Sequence, residues 1–405
     1  MTPRETQAPP RPLAEVARYF FRLGVIAFGG PAAHIALMRR ELVVERKWVT
    51  DAEFVDLMGV TNLIPGPNST EMTMHLGARR AGWRGLWLGG AAFILPAVAI
   101  VLALAWAYAR WGATPGGAAI LFGIQPVILA VIVQAIWGLR RAAVKGTATF
   151  IVVVVVAALA LAGAGELWLL LGAGVSLLFL WFVTGGRASG GWSALKRAGD
   201  NTRRAAVVAW PLTVPLPGLA VTVAARPETA GAGLLPLFLV FLKIGATLYG
   251  SGYVLVSFLQ AEFVASRGWI TQTELLDAVS VGQFTPGPLF SSATFVGYLV
   301  RGLPGALVAT AGIFLPSFLF VAGTHRFVPR LRELRWTAPV LDGVNAAAIA
   351  LMAVVTYELA REMLGSVFQV SVLALAALVL LRLNPNSALL IAGGAAAGVA
   401  HALIT

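Results

Sequence analysis

The chain of 405 residues is 58% hydrophobic and only 12% charged, with a mean hydropathy of +0.82, whereas an ordinary globular domain carries roughly a quarter charged residues. That excludes a soluble multidomain enzyme. The net charge of +12 does not mark a nucleic-acid binder, because the basic residues sit in short loops between apolar runs, and the lack of cysteine excludes disulfides, thiolate metal sites and cysteine nucleophiles.

In chain order, residues 1–12 read as a disordered tail, polar and Pro-rich without the basic-then-apolar order of a signal peptide. A transport repeat follows over 13–184. It is predicted to hold one span near 13–38, two short helices near 51–64 and 68–81, and spans near 85–109, 118–139, 147–163 and 167–184. The short helices cannot cross: at about 1.5 Å per residue each reaches about 21 Å against a hydrocarbon core of about 30 Å. Pro65-Gly66-Pro67 between them cannot continue a helix, so a re-entrant hairpin is expected, begun by the capping-box spacing Thr50-x-x-Glu53.

A basic linker over 185–233 leads to a second repeat over 234–405. It repeats the pattern near 234–258, 271–284, 288–300, 303–324, 339–360, 366–382 and 386–404, with Thr271-x-x-Glu274 and Pro286-Gly287-Pro288 in the matching places. A shift of 221 makes eight of the twenty positions from Trp48 to Pro67 identical, and it also pairs Arg22 with Lys243, Asp56 with Asp277 and Glu41 with Glu262. After one deletion, Ile94-Leu-Pro96 meets Phe314-Leu-Pro316. The expected architecture is an all-α polytopic membrane protein: an inverted repeat of two homologous halves, with about ten transmembrane helices and two re-entrant Pro-Gly-Pro hairpins.

Five crossings per half would put 21 of the 30 Lys and Arg residues on one side and seven on the other, leaving Arg22 and Lys243 inside spans. The positive-inside rule then places both termini outside and the linker, with Arg187, Lys196, Arg197, Arg203 and Arg204, in the cytoplasm. Ala205–Ala225 is an uncharged stretch of 21 residues. Counting it as a span would flip every later loop, so an interfacial or packed segment is preferred.

Helices that restart after Pro-Gly-Pro present unpaired N–H groups and the positive end of the helix dipole, which attract an anion. The exposed starts are Asn68-Ser69-Thr70 and Leu289-Phe290-Ser291-Ser292. The Gly29-Gly30-Pro31 break, matched loosely by Gly250-Ser251-Gly252, serves either close packing or an opening of amides to substrate. Arg22 and Lys243 are cations within apolar spans, read either as a charge supply for the anion or as snorkelling side chains. Glu71 is either a capping-box glutamate or a proton-coupling group, and its counterpart is Ser292. Asp56 and Asp277 are expected to pair with Arg79, Arg80 or Arg301, Trp48, Trp83 and Trp269 to anchor at the interface, and His34 and His75 to pack rather than bind metal.

The segments Phe28-Gly-Gly-Pro31-Ala-Ala-His34, Asn62-Leu-Ile-Pro-Gly-Pro-Asn-Ser-Thr-Glu71 with Gly82-Trp83, Leu248-Tyr-Gly-Ser-Gly-Tyr253 and Gly282-Gln-Phe-Thr-Pro-Gly-Pro288 resemble the chromate ion transporter family, over roughly 15–185 and 235–404. The resemblance implies a bacterial inner-membrane exporter of chromate, driven by membrane potential or ion exchange, with sulfate as a competing or exchanged oxyanion. It implies no cofactor and no metal. The partners it implies are the oxyanion and the lipid bilayer, and a homodimer is compatible with it. A membrane-embedded enzyme would need a convergent acid, base and nucleophile or metal set, which the sequence does not offer. An anion channel on the same repeat stays open.

Overall fold

The computed structural model describes residues 12–28, 30–184, 233–249, 254–325, 336–383 and 387–404, and every regular element among them is helical. Gly29, Gly250-Ser251-Gly252, the tail before Pro12, linker residues 185–232 with their arginines, lysine and the 205–225 stretch, and Arg326, Arg330, Arg332 and Arg335 lie outside the described residues.

Helix α1, Pro12–Ile26, buries Val16, Tyr19, Phe20, Leu23 and Gly24 along one stripe. Helix α2, Gly30–Met38, follows a break at which Gly30 has φ +76°, and it runs into a π-helical turn, Arg39–Glu45. The two arms are antiparallel. Glu15 near the start of α1 accepts from Trp48 Nε1 at 3.1 Å and pairs with Arg80 at 2.7 Å, and Arg22 pairs with Glu41 at 3.1 Å. The single span expected over 13–38 is therefore a broken hairpin that returns to the end it came from. Glycine at positive φ lets the chain reverse, and Pro31 restarts the helix where its missing N–H costs nothing. The second repeat does the same with α8, Leu234–Thr247, α9, Leu255–Leu259, and the π-helical turn Gln260–Ser266. Lys243 pairs with Glu262 at 2.5 Å, and Phe241 meets Phe263.

A second broken hairpin follows in each repeat. Helix α3, Asp51–Thr61, opens on the full Thr50/Glu53 capping box, stops before Pro65-Gly66-Pro67, and is followed by α4, Asn68–Trp111. Ala81 and Gly82 leave helical geometry inside α4, which separates a short arm, 68–80, from a long helix, 83–111. A Cβ on Gly77 would lie 2.2 Å from the Gly85 carbonyl oxygen, so glycine is what lets the arm fold back onto the long helix. In the second repeat α10, Gln272–Phe284, starts on the Thr271/Glu274 box, a 3₁₀ turn spans Leu289–Ser291, and α11, Ser292–Thr324, reverses at Arg301 and Gly302. Gly297 and Gly305 make the same close approach there. These glycine pairs stand at a shift of 220, so the missing residue lies between the Pro-Gly-Pro break and the glycine pair, where the 3₁₀ turn is. Three residues rising about 2.0 Å each cover the length of four rising about 1.5 Å.

The long helices α4 and α11 are antiparallel. His75 meets His325, Trp87 stacks on Phe318 at 5.0 Å, and Tyr108 meets Phe295 at 5.1 Å. Around them lie α5, Pro115–Ala143, α6, Thr147–Leu161, α7, Glu166–Val183, α12, Thr337–Met363, α13, Val367–Leu383, and α14, Ser387–Ile404. Six of the described helices are long and apolar enough to cross a membrane, and four more apolar helices are shorter. Lys145 pairs with Asp342 at 2.5 Å, which joins the α5–α6 turn to the start of α12. Glu15, Trp48, Arg80, Lys145, Asp342 and His325 thus mark one end of the bundle, and Tyr108, Asp277, Glu262 and His401 mark the other.

Two expectations change with this geometry. The first described residue, Pro12, lies at the first end and the last, Ile404, at the second. Helix α7 ends at the first end while α8 begins at the second. Hydropathy registers the apolar length of 13–38 but carries no sign of the direction of travel, which is why a returning hairpin reads as a crossing.

Candidate functional site

The four breaks meet at the middle of the bundle. The Gly66 amide donates to the Leu248 carbonyl at 2.8 Å, and the Gly287 amide donates to the Ala27 carbonyl at 3.0 Å. Each Pro-Gly-Pro therefore closes on the first break of the opposite repeat. His34 also donates from Nε2 to the Ala27 carbonyl at 3.0 Å. Pro65, Gly66, Pro67, Pro286, Gly287 and Pro288 are all buried. The carbonyl ends of α1 and α8 are thereby satisfied by cross-repeat amides, and in the restarting helices the Thr70 and Ser291 amides donate to the Pro67 and Pro288 carbonyls, which leaves the earlier amides of each first turn directed at the breaks.

The two breaks differ in polarity. At the first, Glu71 is wholly buried and neither carboxylate oxygen has a hydrogen-bond partner. A Cβ on Gly66 would lie 2.2 Å from Glu71 Oε1 and 2.4 Å from Ser317 Oγ, so both side chains press against this glycine. The hydroxyls of Thr70 and Ser317 and Oδ1 of Asn68 are also buried without partners, and Ser69 is buried beside them. Asn68 Nδ2 donates to Asn62 Oδ1 at 2.6 Å. At the second break the counterpart of Ser317 is Ala97, against which Gly287 packs, and Ser292 Oγ bonds to the Leu289 carbonyl at 2.8 Å. Ser291 Oγ is left without a partner. Glu71 has a serine as counterpart in either register, Ser292 counted from Pro-Gly-Pro and Ser291 counted from the glycine pair. The capping alternative for Glu71 is not realised, because its carboxylate meets no amide.

Asn68, Ser69, Thr70 and Glu71 thus gather with Ser317 at the first break, while Ser291 and Ser292 lie at the second, which the break before Gly30 adjoins through Ala27. Arg22 and Lys243 sit instead on the outer arms, each bound to a carboxylate nineteen residues on. Glu41 is 9% exposed and Arg22 53%. Glu262 has a second cation, Arg267. Neutralising Arg22 leaves a buried carboxylate alone, whereas neutralising Lys243 leaves Glu262 paired. Arg22→Gln is therefore expected to lower stability by about 1–3 kcal/mol and Lys243→Gln by less, with Arg22→Gln/Glu41→Gln regaining most of the loss. Thermal unfolding of the purified variants in detergent checks the order.

Other expectations shift too. Asp277 accepts from Tyr108 at 2.8 Å and Gln125 at 3.3 Å, while Arg79 pairs with Glu53 and Arg80 with Glu15. Helix crossing angles, invisible in sequence, choose these partners. Trp48 is packed against Tyr19 and Phe20 and bonded to Glu15, whereas Trp83 is exposed. Ser317 and His325 lie outside the motifs, and Tyr249 lies within the Leu248–Tyr253 segment with no role assigned to it. The departure of Ser317 from its repeat mate Ala97 was the one signal available for it.

A helical membrane protein of two homologous repeats, joined through four crossed helix breaks around buried polar groups, has the build of a transporter. The chain belongs to the chromate transporter family, whose model matches residues 14–178 and 235–399. A chromate transport protein of Cupriavidus metallidurans is 32% identical over 96% of this chain and 93% of its own length. One from Pseudomonas aeruginosa is 32% identical over 89% and 84%. An uncharacterised transporter of Methanocaldococcus jannaschii is 25% identical over 84% and 83%. No solved structure matches.

Proposed function

We propose that the protein is a secondary transporter that exports chromate across the bacterial inner membrane and so confers chromate resistance. The observation that carries this reading is the meeting of four helix breaks around buried, unpartnered polar atoms in a chain of this family. Irregular backbone at membrane depth is tolerated where protein or a polar cavity meets it, and helix starts favour anions. The oxyanion takes the first-turn amides of Asn68 and Ser69 and the hydroxyls of Ser69, Thr70 and Ser317 at the first break, with Ser291 and Ser292 serving the second. Each helix start supplies only about half a charge. With Arg22 and Lys243 engaged by carboxylates, a proton on Glu71 removes the one negative charge that would repel the dianion at the first break.

Chromate accumulation in everted membrane vesicles, competed by sulfate, tests the reading, together with growth of a chromate-sensitive host. Accumulation no greater than in vesicles lacking the protein overturns it.

The first end gathers Arg39, Arg40, Arg46, Lys47, Arg79, Arg80, Arg84, Arg140, Arg141 and Lys145, which by the positive-inside rule makes it cytoplasmic. Pro12 then lies on the cytoplasmic side and Ile404 outside, in place of both termini outside. The chain has no cysteine, so single introduced thiols report without background. Ile404→Cys is expected to react with an impermeant reagent in intact cells, and Ser189→Cys to react only after permeabilisation. The reverse pattern inverts the assignment.

A further inference from the structure

Two of the four histidines meet at a place the transport site does not use. His75 Nδ1 lies 3.3 Å from His325 Nδ1, which joins the short arm of α4 to the residue that ends α11. His75 is wholly buried and its Nε2 has no partner. One helical turn earlier, on the same face of the arm, stands Glu71, also buried and unpartnered. Two buried polar groups left open on one face cost free energy that packing alone does not require. The other repeat shows this directly: by the shift of 220, the mates of His75 and His325 are Phe295 and Ala105, both fully buried and apolar. The fold accepts a hydrocarbon pair there, so the histidines answer to something other than packing.

Resting on the transport reading, we infer that Glu71, His75 and His325 form a one-sided proton path between the central break and the end of the bundle that carries Arg79. A proton arriving at His325 Nε2 releases the one on its Nδ1 to His75 Nδ1. His75 then gives up its Nε2 proton to the Glu71 carboxylate, and each ring, now protonated on its other nitrogen, shifts that proton back to the starting nitrogen by exchange with water before the next proton passes. One proton enters and one is delivered, so charge balances at every step. Tyr249 and Ser317 face Glu71 from the second repeat, and Arg79, paired with Glu53 of α3, faces His325. At the mirrored place Phe295 and Ala105 offer no such group, and the neighbouring Tyr108 donates to Asp277, which Gln125 also holds, so the path serves one end.

The test uses the full chain in proteoliposomes of known orientation, with sulfate flux followed by isotope and luminal pH by a trapped dye. His75→Phe/His325→Ala copies the pair that the other repeat already tolerates, which protects the fold. The double variant is expected to bind sulfate as the wild type does. Its pH-gradient-driven flux should fall about tenfold or more, as when a proton-transfer group is removed. His75→Ala should recover part of that flux when imidazole is supplied on the Arg79 side, a rescue that a packing role would not give. Proton-coupled flux unchanged in the double variant overturns the path. A wild-type protein that binds no oxyanion overturns the transport reading instead, and the dye still reports whether protons cross and whether the histidines carry them.

Discussion

Replacing Gly66 by alanine is expected to reduce transport to background while the protein still reaches the membrane. The residue has φ +140°, outside the range that an L side chain adopts comfortably, and its Cβ would occupy the space of Glu71 Oε1 and Ser317 Oγ. The backbone strain costs about 1–3 kcal/mol, and both displaced side chains belong to the candidate site. The loss should therefore be greater in flux than in stability. Gly287→Ala, at φ +94°, meets the Ala97 methyl at 2.8 Å and should cost stability more than chemistry. Flux assays beside thermal unfolding separate the two. A folded Gly66→Ala protein that transports at the wild-type rate would remove the first break from the site.

Glu71→Gln should make anion binding independent of pH. A dianion and an ionised carboxylate buried at one break repel each other, so the anion binds with the protonated form, and the two bindings promote each other. Raising pH removes the proton, restores the negative charge and lowers affinity by about tenfold per pH unit once Glu71 is ionised in the free protein. Glutamine keeps the shape and loses the titration. Sulfate is the suitable probe, because it stays a dianion over the range. A Gln variant with the wild-type pH profile would assign the dependence to another group.

Much of the architecture was legible in the chain itself. The repeat, the two Pro-Gly-Pro breaks and their capping boxes are local, because proline, glycine and a Thr-x-x-Glu spacing act on backbone geometry within a few residues. The polar character of the first helix restart was equally plain from Asn68, Ser69, Thr70 and Glu71. The pairing of Arg22 and Lys243 was half visible, since the shift of 221 that aligns them also aligns Glu41 with Glu262. What it lacked was the antiparallel return of α2, which brings a residue nineteen positions away into contact.

The sequence by itself determined the membrane class, the duplication and the places where helices must stop, since burial of apolar length and the loss of backbone hydrogen bonds at proline follow from composition and order alone. Only the tertiary structure decided that 13–38 turns back, that each Pro-Gly-Pro closes on the opposite repeat through Leu248 and Ala27, and that His75 meets His325. The contacts of Gly66, Gly287 and His75 join residues about 180 to 260 positions apart, and they depend on the packing of the two halves against each other, for which a one-dimensional hydropathy pattern holds no information.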